Sequence, residues 1–153
     1  MPVTPPVRPA RPPDATRLRS LQRQLDEPSP PLLAAALNEL SADAARSTPR
    51  AWRLLVSPDA SDEPVGYLLA ANGRETHIAE LVVDAAHRRQ HRATALLAVV
   101  CGSASQPVTV CVAAENSAAR SLYEAFGFSE TNRSTDQFDA GTGITLRYEP
   151  ATT

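Results

Sequence analysis

Two stretches of this chain carry residue types at spacings that could do chemistry. The first runs from Leu81-Val82-Val83 through a four-residue turn into Arg88-Arg89-Gln90-His91-Arg92-Ala93-Thr94. A strand-like apolar run that hands the chain to a helix start brings unpaired N–H groups and the positive end of the helix dipole to one place, which suits an anion. Arg88, Arg89 and Arg92 add forked, charged donors where a pyrophosphate would sit. Read alone, the segment is equally a solvated basic turn.

The second stretch is Asn116-Ser117-Ala118-Ala119-Arg120-Ser121-Leu122-Tyr123-Glu124-Ala125-Phe126-Gly127-Phe128. Ala118, Leu122 and Phe126 form one helical stripe, Tyr123 sits beside it facing a groove, and Gly127 is placed to stop the helix in a left-handed conformation. Taken alone, Tyr123 is a boundary residue more readily than an acid. Ahead of the first stretch, Ala79-Glu80-Leu81-Val82 puts a carboxylate on a strand. His77 and His87 stand singly and read as surface or turn residues more readily than as catalytic ones. Cys101 and Cys111 lie in apolar surroundings at no metal-ligand spacing, and Gly141-Thr142-Gly143 reads as a turn rather than a phosphate loop.

The bulk properties bound the alternatives. The chain has 153 residues, the length of one ordinary domain, and 42% hydrophobic and 21% charged residues, the composition of a soluble globular protein. Fifteen basic residues, all of them Arg, against 17 acidic ones leave a net charge of -2, which argues against an obligate nucleic-acid binder. The longest apolar run, Ala95 to Cys101, is far short of the ~20 residues of a membrane span. Six prolines within the first 13 residues exclude a signal peptide's apolar stretch. Two cysteines without a framework fit a reduced cytoplasm. The expectation is a cytoplasmic protein with no metal, no membrane and no nucleic-acid partner.

The elements that must position these groups follow from periodicity. Met1 to Pro6 reads as a loose tail before a single domain over residues 7–149. Val7 to Ala10 reads as an edge strand, because Pro9 excludes a central one. Asp14 looks like the N-cap of a helix with Leu18, Leu21 and Leu25 on one face. Ser29 caps a second helix with Pro30 in its first turn and Leu33, Leu37 and Leu40 as its stripe. Alternation at Trp52, Leu54 and Val56 predicts a strand. Val65 to Ala71 and Glu75 to Val83 are two more, joined through Asn72-Gly73, a strong hairpin signal. A helix from about Ala93 to Cys101, a strand from Val108 to Ala113 and a helix from about Ser117 to Phe126 follow. The last strand, Ile144 to Tyr148, returns after a loop holding Gly141 and Gly143. This order is that of a mixed α/β domain.

Together the two stretches resemble the GNAT superfamily of acetyl-CoA-dependent N-acetyltransferases, over roughly Val7 to Tyr148. The family's loop, Arg/Gln-x-x-Gly-x-Gly/Ala, corresponds to Arg88-Arg89-Gln90-His91-Arg92-Ala93. Its second motif, Asn-x-x-Ala-x-x-Leu-Tyr-x-x-x-Gly-Phe, is matched in full from Asn116 to Phe128. The resemblance implies an α/β fold with a mostly antiparallel sheet, one parallel pair at the cofactor cleft and helices on both faces. The departure is His91, which stands where the family has its first loop Gly, a residue suited to close approach of phosphate and to unusual dihedrals. Either the imidazole becomes another phosphate donor, or cofactor affinity falls.

The resemblance further implies direct transfer of acetyl from acetyl-CoA, the co-substrate, to a primary amine, whether a small molecule or a protein N-terminus. Acetyl-CoA would contact Leu81, Val82, Val83, the loop from Arg88 through Thr94, Asn116, Ala119 and Tyr123. Backbone N–H groups around Val82 and Val83 would hold the oxyanion. Tyr123 matches the family's general acid, and Glu80 is the first choice of base. The branch that acetylates ribosomal-protein N-termini carries its base on the next strand, but the matching position here is Cys111. Glu115 is a weaker candidate, facing solvent at a strand end. The alternative is a catalytically weak or inactive binding or regulatory protein on the same fold. The acceptor and a homodimer are left open.

Overall fold

The computed structural model describes residues 4–25, 28–42, 50–138 and 141–150, with the side chains of residues 134–138 and 141 left aside. The expected tail, Met1 to Pro6, therefore falls partly outside the described residues. Among the described residues, seven strands make one sheet in the order β1-β2-β3-β4-β5-β7-β6. They are β1 (Arg8–Pro9), β2 (Trp52–Pro58), β3 (Pro64–Ala71), β4 (Thr76–Val83), β5 (Val108–Ala113), β6 (Ser129–Phe138) and β7 (Gly141–Tyr148). All pair antiparallel except β4 with β5, which run parallel. Helices α1 (Ala15–Gln22) and α2 (Pro30–Ser41) cover one face; α3 (Arg92–Gly102) and α4 (Ser117–Phe126) cover the other. Among the described residues no helix is long and apolar enough to cross a membrane.

Each face has its own core, and strand alternation assigns side chains to them. On β3, Tyr67 and Leu69 pack with Leu18 and Leu21 of α1 and Leu33 and Leu37 of α2, while Leu68 and Ala70 pack with Leu96, Leu97 and Val100 of α3. On β5, Val108, Val110 and Val112 all join the α3–α4 core. Full burial of each such side chain contributes roughly 1.5–3 kcal/mol, which favours docking of the α1 and α2 stripes on the sheet.

Several expectations are corrected in detail. Leu25 lies past the end of α1, half-buried against the same core. Asp14 occupies the N-cap position but makes no cap bond; its carboxylate accepts from both terminal nitrogens of Arg8 (2.9 and 3.1 Å) and from the Arg11 amide (2.8 Å). The β3–β4 hairpin exists, but its connection spans Asn72 to Glu75 and Gly73 has no positive φ, so the tight two-residue turn does not form. The expected loop before Ile144 is instead β6 and the start of β7, with Gly141 and Gly143 inside the strand. The sequence Ser-Glu-Thr-Asn-Arg-Ser-Thr offers no apolar alternation because β6 is an edge strand, held by its β7 ladder rather than by a buried face.

Candidate active site

The parallel pairing of β4 with β5 is short. It covers Thr76 with Val108, His77 with Thr109 and Ile78 with Val110, and then stops. Beyond it the strands part around a cleft of about 970 Å³. A β-bulge shapes the β4 side: Leu69 pairs with Glu80 and Ala70 with Ile78, leaving Ala79 as the extra residue. The bulge resets the alternation. Ile78 and Leu81 belong to the α3–α4 core, whereas Ala79 and Val82 pack on the α1–α2 side.

Glu80 thereby joins the α1–α2 side as a buried carboxylate, 4% exposed, on the wall of the cleft. Its Oε1 accepts from the Tyr67 hydroxyl (2.8 Å) and its Oε2 from the Ser29 amide (2.7 Å); Gln22 Nε2 is shared between both oxygens at 3.0 Å. Among the described residues no arginine or histidine pairs with it. A carboxylate buried on a cleft wall and met only by neutral donors is costly to keep there, which marks a functional candidate. Gln22 ends α1 and Ser29 precedes α2, so one carboxylate clamps both ends of the α1–α2 connection. A second tie runs from Gln24 Nε2 to Asp84 (2.7 Å), whose other oxygen meets His87 Nδ1 at 2.9 Å. Gln24, Leu25 and His87 border the cleft mouth.

Across the cleft, Asn116 caps α4, its Oδ1 accepting from the Ala119 amide at 3.1 Å. Gly127 ends the helix at φ 125°, as its sequence position predicts. This fixed helix puts Ala119, Leu122 and Tyr123 on the cleft wall beside Asn116. Tyr123 is 4% exposed, packs edge-on against Phe128 at 5.2 Å, and its hydroxyl makes no hydrogen bond among the described residues. Burial, with a smaller contribution from nearby Cys101, pushes this phenol well above its ordinary range. Cys111 also lines the cleft, on the same sheet face as Glu80. Among the described residues no three metal-ligating side chains come together.

The loop between β4 and α3 leaves backbone amides unpaired at the start of the helix. The first intrahelical bond of α3 runs from the Ala95 amide to the His91 carbonyl (3.0 Å), leaving the Arg92, Ala93 and Thr94 amides ahead of it. Arg89 and His91 both take positive φ, 64° and 62°. Alternation of this kind turns backbone amides into a concave anion nest. Histidine is among the residues that enter the left-handed region more readily, so His91 replaces Gly here without breaking the turn. Arg88 binds the Val83 carbonyl through Nε only (3.1 Å), and Arg89 has no side-chain partner among the described residues. Arg92 differs from the expectation: its guanidinium holds Ser57 Oγ, the Pro58 carbonyl and Gln90, anchoring the loop to β2. Gln90 does not border the cleft, whereas Leu81, Val82, Val83 and Thr94 do.

The structure thus brings the expected residues, Gln90 apart, around one cleft; Tyr67, Gln22 and Ser29 do not border it but hold Glu80 from behind. Tyr67 reads in sequence as a core aromatic. Gln22 carried a usable signal, since it stands four residues after Leu18 on the apolar face of α1, where a polar side chain needs a partner.

A family model described as an acetyltransferase (GNAT) domain matches residues 28–145. The mycothiol acetyltransferase of Clavibacter sepedonicus is 37% identical over 103 residues, covering 64% of this chain and 34% of that protein. The chain thus spans about a third of the length of the curated relative it matches. Among solved structures, Arabidopsis thaliana NAA60 in complex with acetyl-CoA superposes with a TM-score of 0.77 at 18% identity, over 94% of this chain and 98% of that one. The ribosomal-protein-S18-alanine N-acetyltransferase from Escherichia coli gives 0.76 at 14% identity, over 97% and 95%. At these identities the likeness is one of fold.

Proposed function

The chain belongs to the GNAT acetyltransferase family, and on that premise we propose that it moves acetyl from acetyl-CoA to a primary amine within its β4–β5 cleft, in one domain over residues 7–149. The observation that carries this reading is the cleft itself, with an anion nest at one end and a buried carboxylate and an unpartnered buried phenol on its walls.

The pyrophosphate would rest on the amides that open α3, with Arg88 and Arg89 supplying charge. Leu81, Val82 and Val83 lie on the β4 edge beyond the last β5 pair, so backbone N–H groups on this stretch are open to the thioester carbonyl and its oxyanion. Glu80 takes the proton of the attacking amine as the N–C bond forms. As the C–S bond breaks, Tyr123 gives its proton to the leaving thiolate. Solvent then returns Glu80 and Tyr123 to their starting states. The amine enters from the α1–α2 side, where Glu80 and Cys111 stand and Gln24 and Leu25 border the mouth. Cys101 and Cys111, which form no disulfide with each other, agree with a reducing compartment such as the cytoplasm.

Calorimetric titration with acetyl-CoA, followed by a screen of amines and peptide N-termini for acetylated product, tests the reading. Saturable binding and an N-acetylated acceptor are expected. No heat of binding at millimolar acetyl-CoA contradicts it.

A further inference from the structure

We propose that Tyr67 and Gln22 are positioning residues for acetyl transfer, holding the Glu80 carboxylate in one orientation on the cleft wall so that it can take the acceptor's proton. The inference rests on the reading of Glu80 as the base.

Tyr67 lies mid-strand on β3, wholly buried, with its ring in the α1–α2 core. A phenylalanine would fill that space without burying a hydroxyl. The hydroxyl instead donates at 2.8 Å to Oε1 of the one acidic side chain buried on β4. Burial, and then the Glu80 charge, push the Tyr67 phenol far above its ordinary range, so it stays a donor at every working pH. Gln22, 5% exposed, meets both carboxylate oxygens from the end of α1. With the Ser29 amide these donors occupy the lone pairs on the protein side, which fixes the carboxylate plane. The carboxylate's roughly four lone-pair sites exceed these three donor groups, which leaves room for the acceptor's N–H on the cleft side.

The titratable groups on the surrounding elements are few. Tyr67 faces Glu80 from β3; α1 and α2 present Gln22 and Ser29, neither of which titrates. His77 shares β4, Asp84 and His87 lie just past its end, and Cys111 stands on β5. Donors to the ionised form favour it, so removing one lets the carboxylate protonate at higher pH.

The test is the pH dependence of kcat/KM for wild type, Tyr67→Phe and Gln22→Met, with melting temperatures and acetyl-CoA affinity alongside. Each folded variant is expected to move the acid limb up by about one pH unit, a roughly tenfold loss on the acid side, with acetyl-CoA affinity unchanged. Gln22→Met, at a helix end, keeps the test available if Tyr67→Phe does not fold. A uniform loss at all pH values with an unmoved limb overturns the inference and leaves only a structural role. Glu80→Gln separates the two layers. If it abolishes turnover while the acid limbs of Tyr67→Phe and Gln22→Met stay put, the base reading stands and the positioning role fails. If Glu80→Gln retains turnover, the base reading fails and this inference falls with it.

Discussion

Ile78 and Glu80 stand two residues apart on β4 yet face opposite sides of the sheet. Strict alternation would have put Glu80 beside Ile78 in the α3–α4 core, among Leu96, Leu97 and Val100, with no donor to meet it. The extra residue at Ala79 turns it to the other face, where Tyr67, Gln22 and Ser29 receive it. One inserted residue thus converts a burial that would be prohibitively costly into a satisfied carboxylate on a cleft wall.

The division of labour among the loop arginines leads to a paired outcome. Arg88→Ala with Arg89→Ala should weaken acetyl-CoA binding by roughly 1–3 kcal/mol if both donate to phosphate, with little change in melting temperature. Arg92→Ala should instead lower stability, because its guanidinium ties the loop to Ser57 and Pro58. Calorimetry and thermal melts on the two proteins check this. Equal acetyl-CoA affinity in the double variant and wild type would remove the pyrophosphate from this loop.

His91→Gly should keep or improve acetyl-CoA affinity. The position already holds φ 62°, which glycine adopts without a Cβ penalty, and the imidazole's bulk at the nest disappears. Calorimetry decides the matter. A clear loss of affinity would identify the imidazole as a phosphate ligand.

Alkaline stability should depend on Cys101. Burial pushes its thiol from the ordinary 9.0 up to about 12. Below pH 9 folded and unfolded chains both keep the proton, and the thiol adds no pH dependence. Between about 9 and 12 the unfolded chain releases it first, so stability falls as pH rises. Cys101→Ala should be less stable near neutrality, by about 1 kcal/mol for the lost packing, yet should decline less steeply above pH 9. Urea midpoints across that range test the sign. Parallel curves for the two proteins would contradict it.

What was legible in the sequence follows from how local each signal is. Helix α4 was readable to its ends, since Asn116, the stripe through Ala118, Leu122 and Phe126, and Gly127 all act within one segment. The strand-to-helix loop was equally local, and its positive φ at His91 lies where the glycine of the family's motif would stand. The register shift at Ala79 was not readable, because a bulge is defined by the partner strand, and Ala79-Glu80-Leu81 alternates no differently from its neighbours. Strand β6 was lost for a related reason: an edge strand rich in Ser, Thr and Asn has no apolar period to betray it. The Glu80 clamp joins residues 22, 29, 67 and 80, which only the packed sheet brings together.

The most direct measurement is turnover and acetyl-CoA affinity of Tyr123→Phe, using an acceptor found in the amine screen. The thiol of CoA has a pKa near ~8.5 and an ordinary phenol near ~10; burial raises the Tyr123 phenol further, so its proton is present throughout the neutral range. The ring packing against Phe128 survives the substitution, so folding and acetyl-CoA binding should be unchanged. Turnover should fall roughly 10²–10⁴-fold, the worth of a positioned acid. Full turnover in a folded Tyr123→Phe protein would contradict the account and leave water as the donor to the departing thiolate.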